Sequence, residues 1–389
     1  MKDILRTIYN RLPSRLKPAA KTIFTKVRPP IIDLASGDPD YQPPPQALEK
    51  ATETLKKGLH YISPDGIPEL RKKISEVIER EHGTSYDPQN EILVTYGASE
   101  ALYVVFRVLL RGGGKAFIPS PHYPLFKDQI HEVGGKIITY PFKPNIAFNE
   151  TLSYISEHLT EDVRFILINS PHNPTGRVLS KKYVETLAEF IEEKRLFVVW
   201  DEVYGKIVFE GKHYTLADIP EAKSRAIFVN SFSKTYGMAG WRVGFLYGPS
   251  KILSSIRKLH RAITFSLNPI SQVAALAALE AGESYLKDIL KVLRERRDVL
   301  IRGLSDIRSM EYWKPQGTYF VFPKLNLDKV SDVEFTEALL KEGVKVRPGS
   351  RFNGRNHIRI SFARADVETI RKALLKIKHV MEKFSKTEQ

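Results

Sequence analysis

Lys234 stands in the run NSFSKTYGMAGWRVGF, residues 230–245, with hydroxyls at Ser231 and Ser233 beside it and Arg242 eight positions on. Hydroxyls and a planar guanidinium are groups that grip an anion such as a phosphate, the guanidinium through two parallel hydrogen bonds. A lysine crowded by a cation and held in a cleft loses proton affinity, and its neutral amine can form a Schiff base with an aldehyde. A serine-rich surface loop would also carry a lysine. The neighbouring strands decide between the two readings.

The run LFVVWDEVYGKIV places Asp201 at the end of a strongly apolar segment, where a carboxylate is costly unless it meets a cation. Tyr204 follows three residues later, and INSPHNPTGRV puts Asn173 in a proline-flanked loop after another strand. In TYGASEAL, Gly97 and Ala98 are small enough for a ligand to approach the backbone, and Ser99 reads as the cap of a helix whose first amides attract anions. Singly, each could be a satisfied core or turn residue. Together, four strand ends supply anion donors, a carboxylate, an amide and a lysine, which is the set that pyridoxal 5'-phosphate requires. Lys234 would meet its aldehyde, and Ser231, Ser233, Arg242 and the Gly97–Ser99 turn its phosphate. Asp201 would meet the protonated pyridine nitrogen, with Tyr204 and Asn173 on the phenolic oxygen. RGGGKAF lacks the Walker spacing and no G-x-G-x-x-G joins a strand to a helix, so neither ATP nor NAD is supported.

These residues need a scaffold that brings strand ends together. From residue 92 the sequence alternates short apolar runs (ILVTYGA, KAFIPSP, KIITYP, RFILINSP, LFVVWDE, RAIFVNS, VGFLYG) with helical stretches such as SKKYVETLAEFIEEKR. That alternation predicts an α/β fold with a mostly parallel sheet covered by helices, in which ligands bind beyond the carboxyl ends of the strands. After about residue 250 long charged amphipathic helices lead into GTYFVFP, VKVRPGS, HIRISFA and a closing helix over about 366–384. We expect a large cofactor-binding domain over 46–285 and a smaller α+β domain built from both chain ends, 31–45 and 286–389. A chain of 389 residues is long enough for two such units.

Composition narrows the alternatives. With no cysteine, disulfides, thiolate metal sites and cysteine nucleophiles are excluded, and a reducing, cytoplasmic location is the expectation. No stretch approaches the length of an apolar membrane span, and the start lacks a signal-peptide core. The formal charge of +15 is unevenly spread: residues 1–30 hold eight basic side chains against Asp3, a net +7 in a short leader. The rest is mildly basic without a zinc-finger spacing or an RNA-recognition motif, so no nucleic-acid partner is expected. A solvated helical face, a surface or partner contact, or a targeting segment would each suit the leader.

The motifs LASGDPD, YISPDGIPELRKKI, YGASEAL, PSPHYP, NSPHNPTG, DEVYGKIVFEG, NSFSKTYGMAGWRVGF, GTYFVFP and HIRISFA run from 34 to 363 in one order. In this the chain resembles the fold-type I, class I/II pyridoxal-phosphate aminotransferases, in the branch of prokaryotic aspartate and broad-specificity enzymes. The resemblance implies transfer of an amino group from an L-amino acid to a 2-oxo acid such as 2-oxoglutarate, in ping-pong fashion through an imine on Lys234. It implies that Tyr123 stacks on the cofactor ring and that Arg359, with the backbone at Gly37, binds the substrate α-carboxylate. Tyr61 would reach the phosphate in the neighbouring subunit of a homodimer with shared active sites. The sequence departs from the pattern in its long basic leader and in the short NGRN segment before HIRISFA, beside the expected substrate entrance. For a second substrate carboxylate, His60, His122, Arg351 and Arg355 all stand as candidates. The same ring-binding residues would serve a carbon–sulfur β-lyase or related eliminase. A cofactor-sensing DNA-binding regulator is the other relative, and a leader of thirty residues is too short for its winged-helix domain.

Overall fold

The computed structural model describes residues 31–388; the basic leader falls outside the described residues. Among them, the strands in chain order are β1 (Ile32–Asp33), β2 (Ile92–Thr95), β3 (Lys115–Ser120), β4 (Lys136–Pro141), β5 (Val163–Asn169), β6 (Val198–Asp201), β7 (Ala226–Ser231) and β8 (Gly244–Tyr247). There follow β9 (Met310–Glu311), β10 (Phe320–Val321), β11 (Lys324–Leu325), β12 (Val344–Lys345), β13 (Arg347–Pro348) and β14 (Ile358–Ser361).

Seven strands form the central sheet in the order β2-β8-β7-β6-β5-β3-β4. From β7 to β4 every neighbour is parallel, while β8 runs antiparallel to both β7 and β2. Apart from the edge strand β4, the apolar runs are largely buried on both faces, as helices covering a parallel sheet require. Alternate residues sort accordingly. Val94, Phe117, Ile166, Val198 and Phe228 join one core, and Leu93, Ile118, Leu167, Val199 and Ile227 the other. Helix Lys181–Glu193 begins where Ser180 Oγ accepts the Tyr183 amide, and its apolar stripe of Val184, Leu187 and Ile191 closes on the first of these cores.

One sequence expectation is corrected here. Ser99 does not cap the helix after β2; that helix spans Ala98–Leu109, and its N-cap is Gly97 with φ 77° and no side-chain cap. Glycine fills the position because a side chain there would be strained. The closing helix also runs further than its pattern suggested, over Val367–Glu388.

A third core gathers Leu34, residues of helix Gly282–Ser305 and most of the apolar side chains from Met310 to Met381. Val203, Tyr204, Ile207 and Phe209 join it, so the segment after β6 is buried against the C-terminal elements. There β14 lies between β10 and β13, antiparallel to both. The first described residues are woven into this part: β1 pairs in parallel with β12, and the Ser361 amide donates to the Leu34 carbonyl at 2.7 Å. Among the described residues no helix is long and apolar enough to cross a membrane.

Candidate active site

Strands β7, β6, β5 and β3 are parallel neighbours and end on one edge of the sheet. Beyond β7 the chain enters a single helical turn, Phe232–Thr235, which carries Lys234. Ser231 holds that turn: its Oγ accepts the Ser233 amide at 3.1 Å and bonds the Ser233 hydroxyl at 2.8 Å. Asp201 is the last residue of β6, in register with Asn169 at the end of β5. The Asn169 side chain ties the two ends, its Nδ2 donating to the Asp201 carbonyl at 3.1 Å and its Oδ1 accepting the Asn173 amide at 2.9 Å. After β3, Tyr123 immediately precedes helix Pro124–Glu132.

These ends and the N- and C-terminal elements enclose a cavity of about 490 Å³. Its wall brings together Gly37, Ala98, Ser99, Tyr123, Asn173, Asp201, Tyr204, Ser231, Ser233, Lys234, Arg242 and Arg359. Gly97 stands behind the wall: a Cβ there would lie 2.7 Å from Arg242 Nη2, so its lack of a side chain admits the guanidinium to the backbone. Tyr61 lies elsewhere on the surface, 83% exposed and edge-on to Phe265 at 5.3 Å. Of the four candidates for a second carboxylate, Arg351 lines the cavity, and His60 and Arg355 are exposed outside it. His122 is buried, and burial lowers its proton affinity. A wider hollow of about 560 Å³ near Asp87, Lys251 and Arg257 gathers no comparable set.

The charges inside are held away from their ordinary states. Burial, with Arg359 and Arg242 adding to it, brings Lys234 down to about 8, against the opposing pull of Asp38 and Asp201. Its Nζ donates to the Gly37 carbonyl at 2.7 Å. Burial also pushes Asp201 up to about 7, although the Val203 amide donates to its Oδ1 at 3.2 Å. Arg359 falls to about 10, again chiefly through burial. Its guanidinium lies 4.0 Å from the centre of the Phe320 ring and 4.6 Å from that of Phe352. One terminal nitrogen donates to Asn173 Oδ1 at 3.0 Å and the other to the Ala35 carbonyl at 2.9 Å, while the buried Nε has no partner. Because Asn173 Oδ1 accepts from Arg359, its Nδ2 remains as a donor.

Several residues of the site carried no signal of their own in the sequence. Asn169 reads there as the tail of an apolar strand, Tyr319 as part of GTYFVFP, and Arg347 as one charge in a turn. In the fold Tyr319 donates to the same Gly37 carbonyl as Lys234, at 2.7 Å, and Arg347 joins the cavity wall. The signal that could have marked Asn169 is an amide ending an otherwise apolar run, where a buried polar group needs partners.

The donor set fits pyridoxal 5'-phosphate on these observations: an amine of depressed proton affinity, a buried carboxyl lacking a cation, and clustered hydroxyls beside a guanidinium seated on a glycine. Fold and site together define a cofactor-dependent enzyme that handles amino groups. Residues 29–377 match the family described as "Aminotransferase class I and II". The chain belongs to that family and is a pyridoxal-phosphate-dependent aminotransferase.

The chain is 35% identical over 377 residues to a probable aspartate aminotransferase of Methanocaldococcus jannaschii, covering 94% of this chain and 98% of the other. A crystal structure of an aromatic aminotransferase from Pyrococcus horikoshii superposes with a TM-score of 0.86 at 32% identity, covering 93% and 98% of the two chains. An alanine aminotransferase from Pyrococcus furiosus does so with a TM-score of 0.86 at 31% identity, covering 94% and 95%.

Proposed function

We propose that this chain moves the amino group of an L-amino acid to a 2-oxo acid in two half-reactions at the cavity around Lys234, with aspartate-type or broad specificity and 2-oxoglutarate as an acceptor. The observation that carries the reading is that Lys234 and Arg359, a nucleophilic amine and a carboxylate-binding fork, share one wall with Asp201. When bound, pyridoxal 5'-phosphate supplies a carbonyl that condenses with amines and a ring that draws electrons from the substrate Cα.

The residues present would divide the work as follows. Ser99, Ser231, Ser233 and Arg242, with the Gly97–Ala98 backbone, hold the phosphate. Asp201 stands as the counter-ion of the ring nitrogen, and Asn173 Nδ2 with Tyr204 donates to the phenolic oxygen. Tyr123 covers the ring face. Arg359 grips the α-carboxylate, its Nε being a buried donor still without an acceptor. Lys234 Nζ holds the cofactor and, once released, takes the proton from the substrate Cα; a proton affinity near 8 leaves a useful neutral fraction close to neutral pH. We further divide the chain into a large unit over 46–285 and a small one of 31–45 and 286–389, and assign Tyr61 to the active site of the second subunit of a homodimer. The exposed Tyr61 and Phe265 rings support a partner at that face.

A panel of amino donors and 2-oxo acceptors tests the reading, with initial rates at several fixed acceptor concentrations. Parallel double-reciprocal lines are expected. Pyruvate and ammonia released from a cysteine conjugate without any oxo acid would reassign the chain to the β-lyases. Light scattering checks the dimer.

A further inference from the structure

Asp201 and Glu202 are consecutive carboxylates at the end of β6, 4% and 3% exposed. The Glu202 amide still donates to the Val229 carbonyl of β7 at 3.0 Å, so the extended pairing runs through both residues. Successive side chains of an extended chain point to opposite faces. Asp201 accordingly lines the cavity with Lys234, whereas Glu202 lines a separate hollow of about 300 Å³ with His82, Lys206, His213 and Asn230. A buried carboxylate is costly unless other groups hold it.

The groups that hold Glu202 come from the next two strands of the sheet. Its Oε1 accepts from Asn230 Nδ2 on β7 at 3.1 Å and from the Tyr247 hydroxyl on β8 at 2.9 Å. Asn230 Oδ1 in turn accepts the Ser231 amide at 2.7 Å, and Ser231 holds the turn that carries Lys234. Other charges of the hollow are matched among themselves: Lys206 pairs with Glu81, and His82 and Lys212 pair with Asp218 at 3.1 and 3.7 Å. His213 Nε2 lies 3.6 Å from Glu202 Oε2, and neither atom has a hydrogen-bond partner among the described residues.

Neutral donors fix the Glu202 carboxylate without cancelling its charge. That charge reaches the other side of the strand. Burial does most to raise the Asp201 carboxyl, and Glu202 adds to it, while Lys234 and the Val203 amide oppose. Tyr123 and Tyr204 share the wall with Asp201 and bring no cation. A cation held by Asp201 would therefore feel two carboxylates, one in contact and one behind.

We propose that Glu202 is a positioning residue for the cofactor: its charge strengthens the hold of Asp201 on a cationic ring nitrogen, and its bond to Asn230 seats Ser231 for the phosphate. The proposal rests on the reading of Asp201 as the counter-ion of that nitrogen.

Two variants separate charge from geometry. Glu202→Gln keeps an oxygen for Tyr247 and Asn230 and removes the charge, whereas Asn230→Ala keeps the charge and cuts the link to Ser231. In the cofactor-free protein, carbon-13 NMR of labelled aspartate carboxyls, assigned with Asp201→Asn, should show Asp201 titrating at lower pH in Glu202→Gln. Its titration should stay in place in Asn230→Ala, and Glu202→Asp should restore it. In the loaded enzyme, nitrogen-15 NMR of labelled cofactor should show the ring nitrogen losing its proton at lower pH in Glu202→Gln. Cofactor release should be about 3- to 10-fold faster in Asn230→Ala, the loss of one hydrogen bond.

An unmoved Asp201 or ring-nitrogen titration in Glu202→Gln overturns the proposal, as does a shift of equal size in Glu202→Asp. Unchanged release in Asn230→Ala overturns it too, and this arm stands alone if Glu202→Gln fails to fold. A ring-nitrogen titration left in place by Asp201→Asn would overturn the counter-ion reading instead.

Discussion

Lys234 Nζ donates to the Gly37 carbonyl at 2.7 Å, although 197 residues separate them in the chain. One uncharged oxygen only partly offsets the burial of an ammonium group, and so the amine gives up its proton easily. Lys234→Ala should abolish the absorption of the imine between the chain and its cofactor, and the lost base alone should lower turnover by about 10²–10⁴-fold. Absorption spectra and steady-state rates check both. A fully active variant would remove Lys234 from the chemistry.

Asp201 makes the cofactor-free chain sensitive to pH. Its carboxyl is raised to about 7, so between roughly pH 4 and 7 the folded chain keeps a proton that the unfolded chain has released. More protons bound in the folded state means that stability falls as pH rises through this window. Lys234 acts in a higher range: its proton affinity is lowered to about 8, so its contribution to stability rises with pH from about 8 to its ordinary value. Melting curves of the cofactor-free protein should show the first decline, and Asp201→Asn should flatten it. In the loaded enzyme the same variant should cost at least about tenfold in turnover, since its amide cannot balance a cationic ring nitrogen.

With Arg359 as the proposed α-carboxylate partner, Arg359→Lys should raise KM for every amino donor and lower kcat/KM by about 10- to 100-fold, because an ammonium cannot offer two parallel hydrogen bonds or replace a guanidinium packed against Phe320 and Phe352. Cofactor absorption should be retained. A loss confined to one donor would mean that Arg359 reads the side chain.

Gly97→Ala should weaken cofactor binding while leaving the fold intact. The φ of 77° costs a side chain about 1–3 kcal/mol, and the new methyl would push on Arg242 Nη2 from 2.7 Å. Cofactor release followed by fluorescence should be faster in the variant. Unchanged release would mean that Arg242 can retreat without loss.

Much of the candidate site was legible because the residues that line its cavity end strands that declare themselves. Asp201 closes a run of four buried residues, and Lys234 follows β7 within three residues. Ser99 was misplaced by two helical positions because a positive φ at a glycine N-cap leaves no trace in a hydrophobic pattern. That Arg347 lies opposite Arg359 across β13 and β14 was illegible for a different reason. It depends on the register of a two-residue strand against a four-residue one, set by packing between elements and by no local period. The sharing of a core between Val203–Phe209 and the C-terminal elements is likewise a long-range outcome.

The weaving of β1 into the C-terminal strands has a consequence for how the enzyme is born. The segment that presents Ala35 and Gly37 is synthesised early, yet its partners Val344, Lys345, Arg359 and Ser361 emerge from the ribosome some three hundred residues later. Until then the Lys234 amine has no Gly37 carbonyl settled beside it. A chain released before residue 359 would contain Asp201 and Lys234 yet lack the strand that presents Arg359, and so could not complete the cavity wall.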